Sequence, residues 1–165
     1  MACKGKDAEA KTAYEIFILK EGYSKDDNGS YRACGTVTVV KGLSNIIVDT
    51  GSPWDKDLII QGLNQHGLTP EKIQYVVCTH GHSDHVGNLN LFPNAMHIVS
   101  FDICLGDQYI QHDFKRGYPY EIDDHVEVIP TPGHTGADVS VIVSGTKYGR
   151  VAITGMVHLL VTSLP

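Results

Sequence analysis

Residues 73–87 read IQYVVCTHGHSDHVG, a β-branched and aromatic run that passes without a break into three histidines and an aspartate. The first half, 73–79, has the composition of a buried strand. The second half sets His80, His82, Asp84 and His85 within six positions at the strand's C-terminal end, where a loop can turn side chains toward one another. Imidazole and carboxylate together suit zinc, which binds one ring nitrogen while the other is held from behind. His80 and His82, two apart, can converge on one ion, whereas Asp84 and His85 can turn toward a second. Gly81 and Ser83 leave the loop free to wrap.

Working outward, residues 14–23 (YEIFILKEGY) read as a strand, and KDDNGS at 25–30 supplies turn chemistry. CGTVTVV at 34–40 and NIIVDTG at 45–51 follow as strands, the second apolar enough to be buried on both faces. SPWDKDLIIQGLNQHG at 52–67 reads as a helix capped by Ser52, with Pro53 in the first turn and Asp55 at the positive end of the dipole. Trp54, Leu58, Ile59 and Leu63 are its expected core face, and Gly67 its end. Downstream, 96–100, 125–131, 138–145 and 149–155 are strand-like, with TKYG as a turn between the last two. Residues 101–124 read as a loop with a short helix. Strands followed by a helix favour a mixed α/β sandwich over a doubly wound sheet.

A second signal lies in TPGHTGADVS, where His134 follows a Pro-Gly turn at a strand's end. Alone it would read as a turn or surface histidine. Beside His80 and His82 it supplies a third imidazole, and three histidines with one open position make a catalytic zinc site.

The 165 residues suffice for one compact domain, so one site is expected. A formal charge of −6, from 13 Lys and Arg against 19 Asp and Glu, argues against a broad phosphate-binding surface. The opening MACKGKDAEAK lacks the apolar centre of a secretory signal, and no apolar run approaches the ~20 residues that cross a bilayer. The expectation is a cytosolic or nuclear protein with no membrane partner. Cys3, Cys34, Cys78 and Cys104 are scattered and form no C-x-x-C pair, as reduced thiols would be.

VDTG at 48–51, THGHSDHVGNL at 79–89, TPGHTGADVSV at 131–141 and VAITG at 151–155 resemble, in order and spacing, the metallo-β-lactamase superfamily; the resemblance covers roughly residues 34–155. It implies an αββα sandwich with two zinc ions and a bridging hydroxide that attacks an ester, amide or phosphodiester. By matched position, His80, His82 and His134 would hold the first zinc, and Asp84 and His85 the second. Asp84 would also orient and deprotonate the attacking water. Asp49 would steady the ligands from behind through hydrogen bonds, or else serve as a strand-end turn residue.

The sequence departs from the family after VAITG. There the family has an aspartate bridging both metals, and Met156 cannot replace a carboxylate on zinc. The family continues to a further histidine on the second zinc, while this sequence closes with MVHLLVTSLP, whose His158 reads as incidental. The expectation is therefore a partial metallo-β-lactamase-like domain over 1–155 and a divergent tail over 156–165, a shortened or variant form holding one zinc. Bared sheet edges would favour pairing with another copy, as in a homodimer. The resemblance implies RNA as substrate, with endonucleolytic cleavage in histone pre-mRNA 3′-end processing. A glyoxalase-II-like thiolester hydrolase and a non-catalytic form binding at most one zinc are the alternatives.

Overall fold

The computed structural model describes residues 13–155 and the strand at 160–162, so the readings placed on Cys3, Met156 and His158 lie outside the described residues. In chain order the strands are β1 (Glu15–Lys20), β2 (Tyr23–Asp27), β3 (Ser30–Cys34), β4 (Val37–Lys41) and β5 (Ile46–Val48). After helix α1 (Lys56–Gln65) come β6 (Tyr75–Cys78), β7 (Met96–Val99), β8 (Asp102–Leu105), β9 (Gln108–Ile110) and β10 (Tyr120–Asp123). The series closes with β11 (Val126–Pro130), β12 (Val139–Thr146), β13 (Gly149–Ile153) and β14 (Leu160–Thr162).

These strands build two large sheets, ordered β1-β4-β5-β6-β7-β8-β9 and β10-β11-β12-β13-β14, and a separate β2-β3 hairpin. In the first sheet β5, β6 and β7 run parallel, with Val48 opposite Val77 and Val77 opposite Ile98. Their continuous apolar sequences follow from burial on both faces. One face carries Val40, Ile46, Val48, Val77 and Ile98 into a core shared with Val126, Val128, Val141, Val143 and Val151 of the second sheet. The other face sets Val39, Ile47 and Val76 against Ile59 and Leu63 of α1. The second sheet alternates instead: Val126 and Val128 face inward, and Glu127 between them pairs with Arg150 at 2.6 Å. The described residues thus form an α/β sandwich of helix, sheet and sheet.

Three local expectations are corrected. α1 begins at Lys56, not after Ser52: Asp55 is its N-cap, and the Asp55 carboxylate turns back to accept from Ser52 N at 2.7 Å and pairs with Lys20. The preceding segment is held elsewhere, because Gly87 packs so closely on the Ser52–Pro53 backbone that a Cβ there would collide with it. Trp54 therefore never joins the helix and is 80% exposed, and Leu58 is also exposed; Ile59 and Leu63 are the core face. Residues 101–124 are not a loop, since they carry β8, β9 and β10 around one 3-10 turn at Phe114–Arg116. The turn chemistry at 25–30 closes the β2-β3 hairpin through Asn28 and Gly29, both at positive φ. Among the described residues no helix is long and apolar enough to cross a membrane, and Cys34, Cys78 and Cys104 are free thiols.

Candidate metal centre

The site lies where the C-terminal ends of β5 and β6 meet the β11–β12 loop, the end of a parallel sheet at which α/β folds commonly bind ligands. His80 leaves β6 buried at 1% exposure; His82 and His134 are exposed. His80 Nε2 lies 3.1 Å from His82 Nδ1, which lies 2.9 Å from His134 Nε2. All three ligand atoms fall within 4.8 Å of one another. Tetrahedral zinc with Zn–N of ~2.05 Å separates its ligands by ~3.3 Å, so the three nitrogens fit one such ion. The rings stand nearly perpendicular, at 80° to 82°, which aims their nitrogens at a common point instead of stacking their faces. Burial, then the neighbouring His85, His82 and His134, push the His80 pKa down to about 4, so its ring is neutral and free to bind a cation at neutral pH.

Behind the ligands stands a hydrogen-bonded relay. Asp49, 2% exposed, accepts from Thr79 N at 2.7 Å and from His85 Nδ1 at 2.8 Å. Thr79 Oγ1 is 3.0 Å from both Asp49 oxygens and 3.2 Å from His80 Nδ1. With His80 Nδ1–H donating to Thr79 Oγ1, and that hydroxyl donating to Asp49, the His80 Nε2 lone pair is left facing the ion, and the same logic frees His85 Nε2. Asp49 sits at φ 60, a left-handed conformation that Asp tolerates better than most residues, and its carboxylate contacts hold it there. Burial raises the Asp49 pKa even though His85 and Thr79 oppose it. For His85, burial is the largest influence and works downward, but the bond to Asp49 together with the charges of Asp49, Asp84 and Asp138 outweighs it and the pKa rises.

Asp84 and His85 stand beside the three-histidine group, with the His85 ring 4.0 Å from that of His80, centroid to centroid, and Asp84 Oδ2 3.6 Å from His85 Nε2. The ligand loop is stitched to the β5 loop by Thr50 N to His85 O at 2.7 Å and by Asn88 Nδ2 to Thr50 O and Ser52 O at 2.8 and 2.7 Å. Thr79, Asp138 and the glycines at 35 and 155 had no role in the sequence reading. A Cβ at Gly155 would run into Thr79 Oγ1 and lie 3.2 Å from His80 Nδ1; one at Gly35 would lie 2.9 Å from His85 Cε1. Thr79 was legible as the residue between strand and ligands, but the two glycines act through contacts distant in sequence. The centre opens into a cleft of about 560 Å³, whose lining adds Tyr23, Tyr31 and Trp54 to the histidines and Asp84.

The metallo-β-lactamase superfamily model matches residues 34–101. Metallo-β-lactamase domain-containing protein 1 of Xenopus laevis is 46% identical over 145 residues, 86% of this chain and 62% of that protein. Its counterpart in Rattus norvegicus is 37% identical over 174 residues, covering 87% and 69%. The chain thus spans about two thirds of the length of these curated relatives. Among solved structures, a Thermotoga maritima protein described as a metallo-β-lactamase superposes with TM-score 0.68 at 24% identity, over 86% of this chain and 78% of that one. An N-acyl homoserine lactone hydrolase, with its product at the catalytic metal centre, superposes with TM-score 0.61 at 18% identity over 84% and 73%, which shows the shared fold. Identity on this scale, over most of the rat protein's length, means that the chain belongs to the metallo-β-lactamase superfamily.

Proposed function

We propose that this chain is a zinc-dependent hydrolase holding one zinc ion on His80, His82 and His134. The observation that carries the reading is the convergence of His80 Nε2, His82 Nδ1 and His134 Nε2 within 4.8 Å. Zinc at such a site lowers the pKa of bound water to about 7 and polarises the bond to be cleaved. The chain's own residues do the rest. Thr79 and Asp49 hold the His80 ring in the tautomer that presents Nε2. Asp84, partly exposed on the cleft wall, orients the attacking water and takes its proton.

The lining favours an uncharged carbonyl substrate, an ester, lactone or thiolester, because no Lys or Arg is among the described residues that line the cleft. The name of the lactone hydrolase of similar fold agrees with that chemistry. RNA is the second reading: Tyr23, Tyr31 and Trp54, 51%, 75% and 80% exposed, offer ring faces on which unpaired bases stack. The test is hydrolysis by the zinc-loaded chain of an ester, a lactone, a thiolester and a single-stranded RNA, with and without chelator, at roughly 50 and 200 mM salt. Chelator-sensitive carbonyl hydrolysis indifferent to salt supports the first reading. RNA cleavage that falls steeply with salt replaces it with the second. A purified chain that retains no zinc overturns both.

A further inference from the structure

The three histidines are not held in the same way. The Nδ1 of His80 has Thr79 behind it, whereas among the described residues no hydrogen bond reaches Nδ1 of His134. His134 is exposed, and among the described residues its ring neighbours are the other two imidazoles. A metal-binding histidine is normally oriented by a partner on its second nitrogen, so His134 must be placed by its backbone. That backbone is closed by Gly133 N donating to Thr135 O at 3.0 Å and is gripped on both sides of His134 by one carboxylate. Asp138, 8% exposed, accepts from Gly133 N at 3.0 Å and Thr135 N at 2.6 Å through Oδ2, and from the Thr135 hydroxyl at 2.7 Å through Oδ1. Its carbonyl accepts from Thr131 N at 2.8 Å. The next residue, Val139, donates its N–H to Thr79 O at 2.9 Å, so the clamp is anchored to the strand end that presents His80.

We propose that Asp138 is a positioning residue for the metal: its carboxylate fixes the residues on both sides of His134 and so sets the place of His134 Nε2 relative to His80 and His82. The inference rests on the three-histidine metal reading. A purely structural cap on the β11–β12 loop would affect folding alone, which gives the control. Asp123 caps the far end of β11, accepting from His125 N at 2.9 Å and Val126 N at 3.1 Å.

The experiment loads the full chain with cobalt(II) or zinc(II) alone, and measures affinity by chelator competition, the visible bands of the cobalt form, and the melting temperature of the metal-free form. Asp138→Ala and Asp138→Asn should weaken affinity by about 10- to 100-fold, the amide nearer the lower end, and shift the cobalt bands. Asp123→Asn should lower the melting temperature with affinity and bands unchanged. If Asp138→Ala does not fold, Asp138→Asn decides. Wild-type affinity and bands in the folded Asp138 variants overturn this proposal while leaving the metal reading intact, whereas a wild-type chain that binds neither ion overturns both.

Discussion

Two positions a few ångströms apart solve the problem of clustered imidazoles in opposite ways. At His80 the neighbours are other histidines, and burial with their proximity holds the ring neutral, with a pKa near 4. At His85 the neighbour is the buried Asp49, and the bond between them favours the charged ring despite burial. The first position lacks a positive charge and is shaped to receive one from a metal. The second already has an internal charge partner, with Asp84 3.6 Å from its other nitrogen. Imidazole count alone does not make a metal site; what surrounds each ring sets its charge and which nitrogen it presents.

The largest expected effect separates the two positions directly. His82→Ala removes one of three convergent nitrogens and should lower zinc affinity by more than about 100-fold, while His85→Ala should leave metal content near one ion per chain. Elemental analysis after dialysis reads this, and equal losses in both variants would show that the positions bind metal as one unit.

Asp49→Asn sharpens the comparison because Asn also tolerates the left-handed backbone, so what is lost is the carboxylate. Breaking its bonds to Thr79 and His85 should cost about 3 kcal/mol, read by urea unfolding of the metal-free chain. A cost below ~1 kcal/mol would mean that the relay contributes little to holding the site.

The glycines test each position without replacing a ligand. Gly155→Ala presses on Thr79 and His80 and should weaken zinc binding roughly tenfold; Gly35→Ala presses on His85 and should destabilise the fold by about 1–3 kcal/mol while sparing zinc affinity. The reverse pattern would misassign the ligand set.

The smallest effect is the pH dependence of metal-free stability. The folded His80 pKa is depressed to about 4, so between about pH 6.5 and 4 the unfolded chain binds a proton that the native chain refuses, and stability falls as pH drops. The folded His85 pKa is raised, so its contribution is present below the unfolded value and lost as pH rises through the folded one. A shallow maximum near pH ~6.5 follows. His80→Gln should flatten its acid flank and His85→Gln its alkaline flank; a profile unchanged in both would break the contrast.

By itself the sequence determined the α/β character and the strands that build the sheets, because β-branched runs and alternations encode which faces are buried. It also determined the candidate ligands, since H-x-H-x-D-H after a strand is a local pattern that spacing alone can express. Periodicity misread Trp54 and Leu58 as core because the start of α1 is set by the Asp55–Ser52 bond and by Gly87 packing on that backbone. It missed β8, β9 and β10 because short strands at or next to a sheet edge owe their existence to pairing partners and carry little pattern of their own. Only the tertiary structure brought His134 52 positions back to His82, set Asp49 behind Thr79 and His85, and tied Val139, beside Asp138, to Thr79. Those are hydrogen bonds between segments distant in the chain, and their geometry exists only once two sheets have packed and fixed where each loop begins.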